Sequence, residues 1–169
     1  VRIDDFLTPD ENKQLLKFAL ANESDFEGST VMSGEKGHRQ SRVLFTIDKS
    51  KWREVFLSRL KLHLPHIKAA LNSSDFPFGE NEVQLTASND GDYFKPHRDS
   101  SEQHEEVASR EITFVYYFHR TPRRYSGGNL LLYQGQPGGH AYDVGKAVCS
   151  IAPENNCLIA FASNRWHEV

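Results

Sequence analysis

The first 71 residues carry hydrophobic positions at helical spacing in two segments. An alternating stretch around Ile3 and Phe6 predicts a short strand, after which residues 8–11 (Thr-Pro-Asp-Glu) form a capping box with proline at the first helical position. The apolar positions 15, 16, 19 and 20 then recur at helical spacing until the polar stretch 22–24. The pattern predicts a first helix that begins near residue 9, followed by a long loop over residues 24–41.

A second helix is predicted from about Ser50 to Leu71. Its apolar face is formed by residues at helical spacing, namely Trp52, Val55, Phe56 and Leu60. Pro65 lies inside this segment. Because proline has no N–H to donate within a helix, Pro65 should kink or split it.

Beyond Pro77 the hydrophobic pattern changes to short stretches rich in β-branched and aromatic residues, separated by turn-forming clusters. These stretches predict strands at residues 82–88, 93–98, 110–118, 128–133, 147–151 and 157–162. Without helices between them the strands cannot form βαβ units, so they predict an antiparallel sandwich or barrel such as a jelly roll. We expect one α+β domain over residues 1–169, with helical support at about 8–71 and the β core at about 82–169.

Composition and charge exclude several classes of protein. Hydrophobic residues make up 38% and charged residues 25% of the 169 positions, and no apolar run reaches the roughly eighteen residues that cross a bilayer. The net charge of −3 gives no basic surface for a polyanion, which disfavours nucleic acid as a partner. The sequence indicates no membrane span, and it does not specify an oligomeric state.

The chain contains two cysteines, Cys149 and Cys157, too few for a disulfide framework and without C-x-x-C spacing. They predict two buried free thiols, although one bridge between adjacent strands would also be compatible with the sequence. This cysteine usage favours the cytoplasm. The chain begins at Val1 rather than methionine and ends at Val169, so trimming at both ends is expected.

Three residues form a candidate metal site. His97 and Asp99 lie two positions apart, which on a strand places both side chains on one face. His167 supplies a third ligand from the last segment. Two imidazoles and one carboxylate leave open positions on the metal, an arrangement typical of non-haem iron(II) oxygenases. The tripeptide alone is weak, because a hydrogen-bonded surface pair would have the same spacing, and residues 104–106 (His-Glu-Glu) resemble it in a polar stretch.

Four ordered segments strengthen the assignment. They are residues 93–99 (YFKPHRD), 110–117 (REITFVYY), 127–130 (GGNL) and 167–169 (HEV). With these segments in this order, the sequence over roughly residues 83–169 resembles the prolyl 4-hydroxylase-like branch of the iron(II)/2-oxoglutarate oxygenases. The resemblance implies a double-stranded β-helix (jelly-roll) core with helices packed on its outside, in agreement with the strand pattern.

The resemblance also implies roles for individual residues. It places His97, Asp99 and His167 on iron(II), and Tyr117 near the distal carboxylate of 2-oxoglutarate, with Thr113 and Leu130 lining that pocket. Alternation along the strand puts positions 113, 115 and 117 on one face, so a phenol could reach the pocket. Taken alone, Tyr117 would be interpreted as a core aromatic residue.

The implied activity is hydroxylation of a substrate C–H, coupled to conversion of 2-oxoglutarate and O2 to succinate and CO2. Iron(II) is the implied metal, with ascorbate as a reductant. A prolyl or other side chain of a peptide or protein is the first expectation for the substrate, and a free amino acid or small metabolite the second. A non-catalytic jelly-roll binding module, or a cupin-like metal enzyme that uses no 2-oxoglutarate, would also be compatible with the sequence.

Two positions depart from the family pattern. Members carry an Arg or Lys some nine or ten residues past the last histidine, which pairs with the co-substrate carboxylate, and that position would fall beyond Val169. A tyrosine found about nine residues before the first histidine is replaced by Ser88. Residues 119–125 form a basic segment that could receive an acidic peptide or small substrate near the pocket mouth, although a solvated hairpin loop is the first expectation. Residues 28–37 and 100–109 are candidate lids. Four histidines are predicted to have no functional partner: His38, His63, His66 and His140.

Overall fold

The computed structural model describes residues 1–29, 37–73, 76–79, 81–100, 105–134 and 146–169. Its helices are α1 (Pro9–Ala21), α2 (Lys51–Leu71) and α3 (Glu105–Ala108). Its strands are β1 (Arg2–Asp4), β2 (Glu27–Gly28), β3 (Arg39–Gln40), β4 (Arg42–Leu44), β5 (Leu85–Ala87), β6 (Tyr93–Phe94), β7 (Ile112–Tyr117), β8 (Leu130–Tyr133), β9 (Ala147–Ile151), β10 (Cys157–Ala162) and β11 (His167–Glu168). Each of the six strands predicted beyond Pro77 is confirmed, β9 and β10 with the predicted bounds and the other four within narrower ones.

The capping box at the start of α1 is confirmed. The Glu11 N–H donates to Thr8 Oγ1 at 3.2 Å, and the Thr8 N–H donates to Glu11 Oε2 at 2.8 Å. Arg59 of α2 donates to the same carboxylate oxygen at 2.9 Å. Glu11 therefore closes the first turn of α1 and also connects the two helices.

Glu11→Gln should lower the free energy of unfolding at neutral pH by about 0.5 kcal/mol, because the ion pair is partly exposed and the amide keeps an acceptor for Thr8. The Thr8 backbone N–H, followed by the Thr8 hydroxyl and Arg59, lowers the pKa of Glu11 from its ordinary 4.5. The wild-type advantage is complete above pH 4.5 and is lost as the pH falls through the lowered folded-state pKa. Urea unfolding at pH 7 and at pH 3 measures the difference in free energy of unfolding between the wild type and Glu11→Gln. Glu54→Gln, in the first turn of α2, is the control. A difference that is larger at pH 3 than at pH 7 would contradict this expectation.

Helix α2 differs from the prediction at Pro65. The helix runs from Lys51 to Leu71 as one element that contains Pro65, so the predicted split is wrong. Leu60 and Leu64 are buried before the proline and Ile67 after it. Burial on both sides of Pro65 holds the two halves in one helix despite the missing hydrogen bond.

Two antiparallel three-stranded sheets contain most strands of the β half, in the orders β1-β10-β7 and β11-β8-β9. Strand β7 has two different faces. Phe114 and Tyr116 pack against the hydrophobic cluster built around Leu15 and Trp52 of the helices. Val115 and Tyr117 pack against a second cluster, between the sheets, that contains Leu130, Cys157, Ile159 and Phe161. This alternation confirms the prediction that positions 115 and 117 share a face.

The segment predicted as a loop over residues 24–41 contains secondary structure. Strand β2 pairs with β4, β4 pairs with β5, and β3 pairs with β6, all antiparallel. These two- and three-residue strands are too short for an alternating pattern to reveal them. Residues 30–36, inside the predicted lid 28–37, lie outside the described residues, as do residues 101–104 of the predicted lid 100–109.

The cysteines and the basic segment differ from their predictions. Cys149 is exposed and Cys157 buried, and both are free, so a disulfide between them is excluded and only one thiol is buried. The basic segment 119–125 connects β7 to β8, which belong to different sheets, so it is a crossover rather than a hairpin. Among the described helices, none is long and apolar enough to cross a membrane.

Candidate metal centre

Backbone pairing brings His97 and His167 together across 70 positions of sequence. The two residues form an antiparallel bridge in which each N–H donates to the carbonyl of the other at 2.9 Å. His167 is also aligned with Leu132 of β8, so the bridge attaches the segment after β6 to the second sheet. These main-chain hydrogen bonds therefore hold the two histidines side by side, independently of any side-chain contact.

The two imidazoles are oriented in the same way. His97 Nδ1 lies 2.8 Å from the Lys95 carbonyl oxygen, and His167 Nδ1 lies 2.9 Å from the Arg165 carbonyl oxygen. A carbonyl only accepts, so each Nδ1 carries the proton and donates it. Each Nε2 is thereby left with a lone pair, which is the state that a metal requires of a histidine ligand.

Asp99 completes the cluster. Its Oδ1 lies 3.6 Å from His97 Nε2, and its Oδ2 lies 3.4 Å from His167 Nε2. The ligand atoms of the three residues all lie within 4.8 Å of one another. The two histidine–carboxylate distances, 3.6 and 3.4 Å, lie within the roughly 4.2 Å that an ion about 2.1 Å from each donor can span. The donor set thus fits a divalent metal of the iron(II) type, with two imidazoles and one carboxylate.

The Asp99 carboxylate is held by a chain of hydroxyl groups. The Asp99 N–H donates to the Ser163 carbonyl at 2.9 Å, and Thr113 Oγ1 donates to Asp99 Oδ2 at 2.6 Å. Since the Thr113 proton is used there, the Ser163 hydroxyl, at 3.1 Å, donates to Thr113. Ser163 is 1% exposed, so the inner end of this chain is closed to solvent, and its hydrogen bonds fix the rotamer of Asp99.

Burial keeps the His97 imidazole neutral. Burial, together with the neighbouring His167, lowers the pKa of His97 from 6.5 to about 3, although the Asp99 charge acts in the opposite direction. His167 is itself 4% exposed. The Phe94 ring stacks on His97 with 3.4 Å between the ring centroids, and the Phe161 ring lies against His167 at 4.7 Å. A neutral imidazole covered by an aromatic ring, as at His97, is suited to coordinate a metal rather than to transfer protons.

Thr113→Val should weaken metal binding about 10–100-fold, because it removes the hydrogen bond that orients the Asp99 carboxylate while keeping the shape of the side chain. Anaerobic calorimetric titration with iron(II) measures the effect. Thr46→Val, at an exposed position of the turn before α2, is the matched control. If Thr113→Val bound iron(II) as tightly as the wild type, the hydrogen bond from Thr113 of β7 would not be needed to orient the Asp99 carboxylate.

The remaining predicted site residues lie between the two sheets. Leu130 is fully buried in the second cluster, and Tyr117 packs against that cluster from β7. The Tyr117 hydroxyl is buried and has no hydrogen-bond partner among the described residues. Burial raises the pKa of Tyr117, so the phenol stays protonated and is a donor without an acceptor. An unsatisfied buried hydroxyl is costly, and an oxygen of a bound ligand would satisfy it.

Sequence reasoning missed several residues around the cluster. His38, assigned no partner, lies with its ring centroid 6.3 Å from that of His97 and 5.8 Å from that of Phe94. Ser163 and Arg39 also lie at the site. The pairing of β3 with β6 carries His38 and Arg39 there, and no periodic signal in residues 24–41 could have indicated it. His104 and His140 lie outside the described residues.

The chain belongs to the 2OG-Fe(II) oxygenase superfamily, whose family profile matches residues 83–169. A PKHD-type hydroxylase of Synechocystis sp., itself uncharacterized, is 36% identical over 167 residues, which cover 99% of this chain. The chain spans 54% of the length of that curated relative.

Two solved structures share the fold over the whole chain. One is a Pseudomonas putida prolyl-4-hydroxylase, with a TM-score of 0.70, 16% identity and 83% of that chain covered. The other is a prolyl hydroxylase from Trichoplax adhaerens in complex with a peptide fragment of the hypoxia inducible factor oxygen degradation domain, with a TM-score of 0.72, 17% identity and 76% covered. The family membership and the fold agree with the resemblance seen in the sequence.

Proposed function

We propose that the protein is an iron(II)- and 2-oxoglutarate-dependent dioxygenase that hydroxylates a C–H of its substrate. The observation that carries the proposal is the cluster of His97, Asp99 and His167, in which the Asp99 carboxylate lies 3.6 Å from His97 Nε2 and 3.4 Å from His167 Nε2. Family membership and the hydroxylase relative support it. We further propose one domain over residues 1–169, in which the two three-stranded sheets are the halves of a jelly roll.

The residues of the chain have separate tasks in this reaction. His97, Asp99 and His167 would hold the metal, and the hydroxyls of Thr113 and Ser163 keep the carboxylate in position. Bound iron(II) supplies the redox chemistry by which O2 and 2-oxoglutarate become succinate, CO2 and the hydroxyl group of the product. The cluster around Leu130 and Phe161 excludes water from the space between the sheets.

The Tyr117 phenol is proposed to donate a hydrogen bond to the distal carboxylate of 2-oxoglutarate. Its hydroxyl lies in the water-excluded space between the sheets and lacks an acceptor among the described residues. Leu130 is proposed as an apolar wall of that pocket. Thr113 contacts Asp99 rather than open space, so its proposed role is to position the metal ligand. The basic partner expected past His167 would fall outside this chain.

A prolyl or other side chain of a peptide or protein is the proposed substrate. The prolyl hydroxylase from Trichoplax adhaerens, which shares the fold, binds a peptide fragment, and this motivates the choice of probes. The test incubates the natural protein that contains this chain with iron(II), 2-oxoglutarate, O2 and ascorbate, with and without proline-containing peptides. Succinate should form, and more of it with an accepted peptide. Failure to form succinate under any metal loading would exclude the oxygenase function.

A further inference from the structure

One arginine lies beside the candidate metal centre without a carboxylate partner among the described residues. Arg39 of β3 is aligned with Phe94 of β6, and its guanidinium carbon lies 4.8 Å from the centroid of the Phe94 ring. The Phe94 ring in turn stacks on His97, with an angle of 16° between the ring planes. Arg39 is therefore separated from a metal-ligand candidate by one aromatic ring.

Neutral groups hold the Arg39 guanidinium in place. Its Nε donates to Ser41 Oγ at 2.8 Å, Nη2 donates to Thr86 Oγ1 at 3.1 Å, and Nη1 lies 3.5 Å from Gln84 Oε1. A guanidinium has five N–H donors. The contacts with described residues use three of them, which leaves one N–H on each terminal nitrogen, the number that a carboxylate takes in a two-point hydrogen bond.

In other arginines of the chain, a carboxylate balances the charge of the guanidinium. Six of them pair with a carboxylate: Arg2 with Asp4, Arg42 with Glu23, Arg53 with Asp48, Arg59 with Glu11, Arg110 with Glu82 and Arg123 with Glu154. Arg39 is half-buried, and burial lowers the pKa of its guanidinium, while the charge of Asp99 acts in the opposite direction. A desolvated cation of this kind gains more from a carboxylate than a solvated one does.

The position of Arg39 favours the substrate over the co-substrate. Its contacts lie on β5, on β6 and at Ser41, and none of them involves the cluster that contains Tyr117 and Leu130. The proposed 2-oxoglutarate pocket lies in that cluster, between the two sheets. A group bound by Arg39 would therefore reach the metal centre from the side of Phe94 and His38.

We propose that Arg39 binds a carboxylate of the primary substrate, next to the C–H that is hydroxylated. The proposal rests on the proposed function and makes it narrower: the substrate is a carboxylic acid or an acidic peptide. The carboxylate could be that of a small acid or an acidic side chain beside the target residue. The two sources share one chemistry, and the experiment separates them.

The test compares matched probes that differ only in charge. Protein loaded anaerobically with iron(II) and 2-oxoglutarate is titrated calorimetrically with N-acetyl-L-proline and with N-acetyl-L-prolinamide, and then with blocked proline-containing peptides that carry Glu or Gln beside the proline. The acid of at least one pair should bind about tenfold tighter than its amide. A preference in the first pair identifies a small acid, and a preference in the second identifies an acidic peptide.

Variants assign the preference to Arg39. Arg39→Gln should remove the preference, Arg39→Lys should keep part of it, and Arg2→Gln, which makes the same charge change on the surface of β1, should keep all of it. Thermal unfolding verifies that each variant folds. Equal binding of acid and amide in both pairs, or no binding of any probe, would overturn the proposal, as would weaker binding of 2-oxoglutarate itself in Arg39→Gln.

The two proposals fail in different ways. If 2-oxoglutarate still changes the absorption of the iron(II)-loaded protein while acids and amides bind equally, the oxygenase function stands and the carboxylate site does not. If 2-oxoglutarate does not bind, the proposed function itself fails.

Discussion

Asp99→Ala should reduce iron(II) affinity by more than about 100-fold and abolish succinate formation. Groups that only orient a metal ligand change affinity by about 10–100-fold, and Asp99 is a proposed ligand rather than its support. The substitution also removes the negative charge beside His97 and His167, which the centre needs to bind a cation. Anaerobic calorimetry measures the affinity, and succinate release measures the turnover.

Asp90→Ala is the matched control, because Asp90 is exposed and lies in the turn before β6, outside the cluster. Its affinity and turnover should equal those of the wild type. Retention of wild-type affinity by Asp99→Ala would mean that any metal binds elsewhere. Reduced binding in both variants would indicate a change in the segment that carries β6 rather than loss of a ligand.

Tyr117→Phe should change two measurements in opposite directions. Without ligand, the variant should be more stable by about 1 kcal/mol, because a buried hydroxyl without a partner is removed and the ring still packs on the second cluster. With ligand, 2-oxoglutarate should bind about 10–100-fold more weakly, because a hydrogen bond to a charged group is worth about 1.5–3 kcal/mol. Urea unfolding and calorimetric titration provide the two values.

Tyr125→Phe is the control for the phenol. Tyr125 is 46% exposed and contacts the Pro153 carbonyl, so neither stability without ligand nor co-substrate affinity should change measurably. If Tyr117→Phe destabilised the protein without ligand and left co-substrate affinity unchanged, the hydroxyl would have an internal structural partner and no role in the pocket.

The sequence predicted the elements in which a periodic pattern of hydrophobic positions extends over several residues. Helix α1, with its capping box, and the six strands beyond Pro77 follow from local patterns and turn residues. The continuation of α2 through Pro65 could not be predicted, because packing of Leu60 and Ile67 outweighs the local cost of proline. Strands β2, β3 and β4 are two or three residues long and depend on their pairing partners, which no local pattern specifies.

The candidate site likewise contains residues that the sequence predicts and residues that only the tertiary fold brings together. The side chains of the metal cluster could be named in advance because two of them are neighbours in sequence and the third lies in a recognisable last segment. The hydroxyl chain from Ser163 through Thr113 to Asp99 joins residues 50 and 14 positions apart. Arg39 reaches the site through the β3–β6 pair. Such contacts arise from the tertiary fold, which single-sequence reasoning cannot place.

The most direct test of the central claim is an anaerobic optical titration of the protein, first with iron(II) and then with 2-oxoglutarate. We expect that one equivalent of iron(II) binds and that 2-oxoglutarate then produces a new visible absorption, which is lost in Asp99→Ala and requires more co-substrate in Tyr117→Phe. Iron(II) binding without any response to 2-oxoglutarate, or an identical response in Asp99→Ala, would contradict the claim.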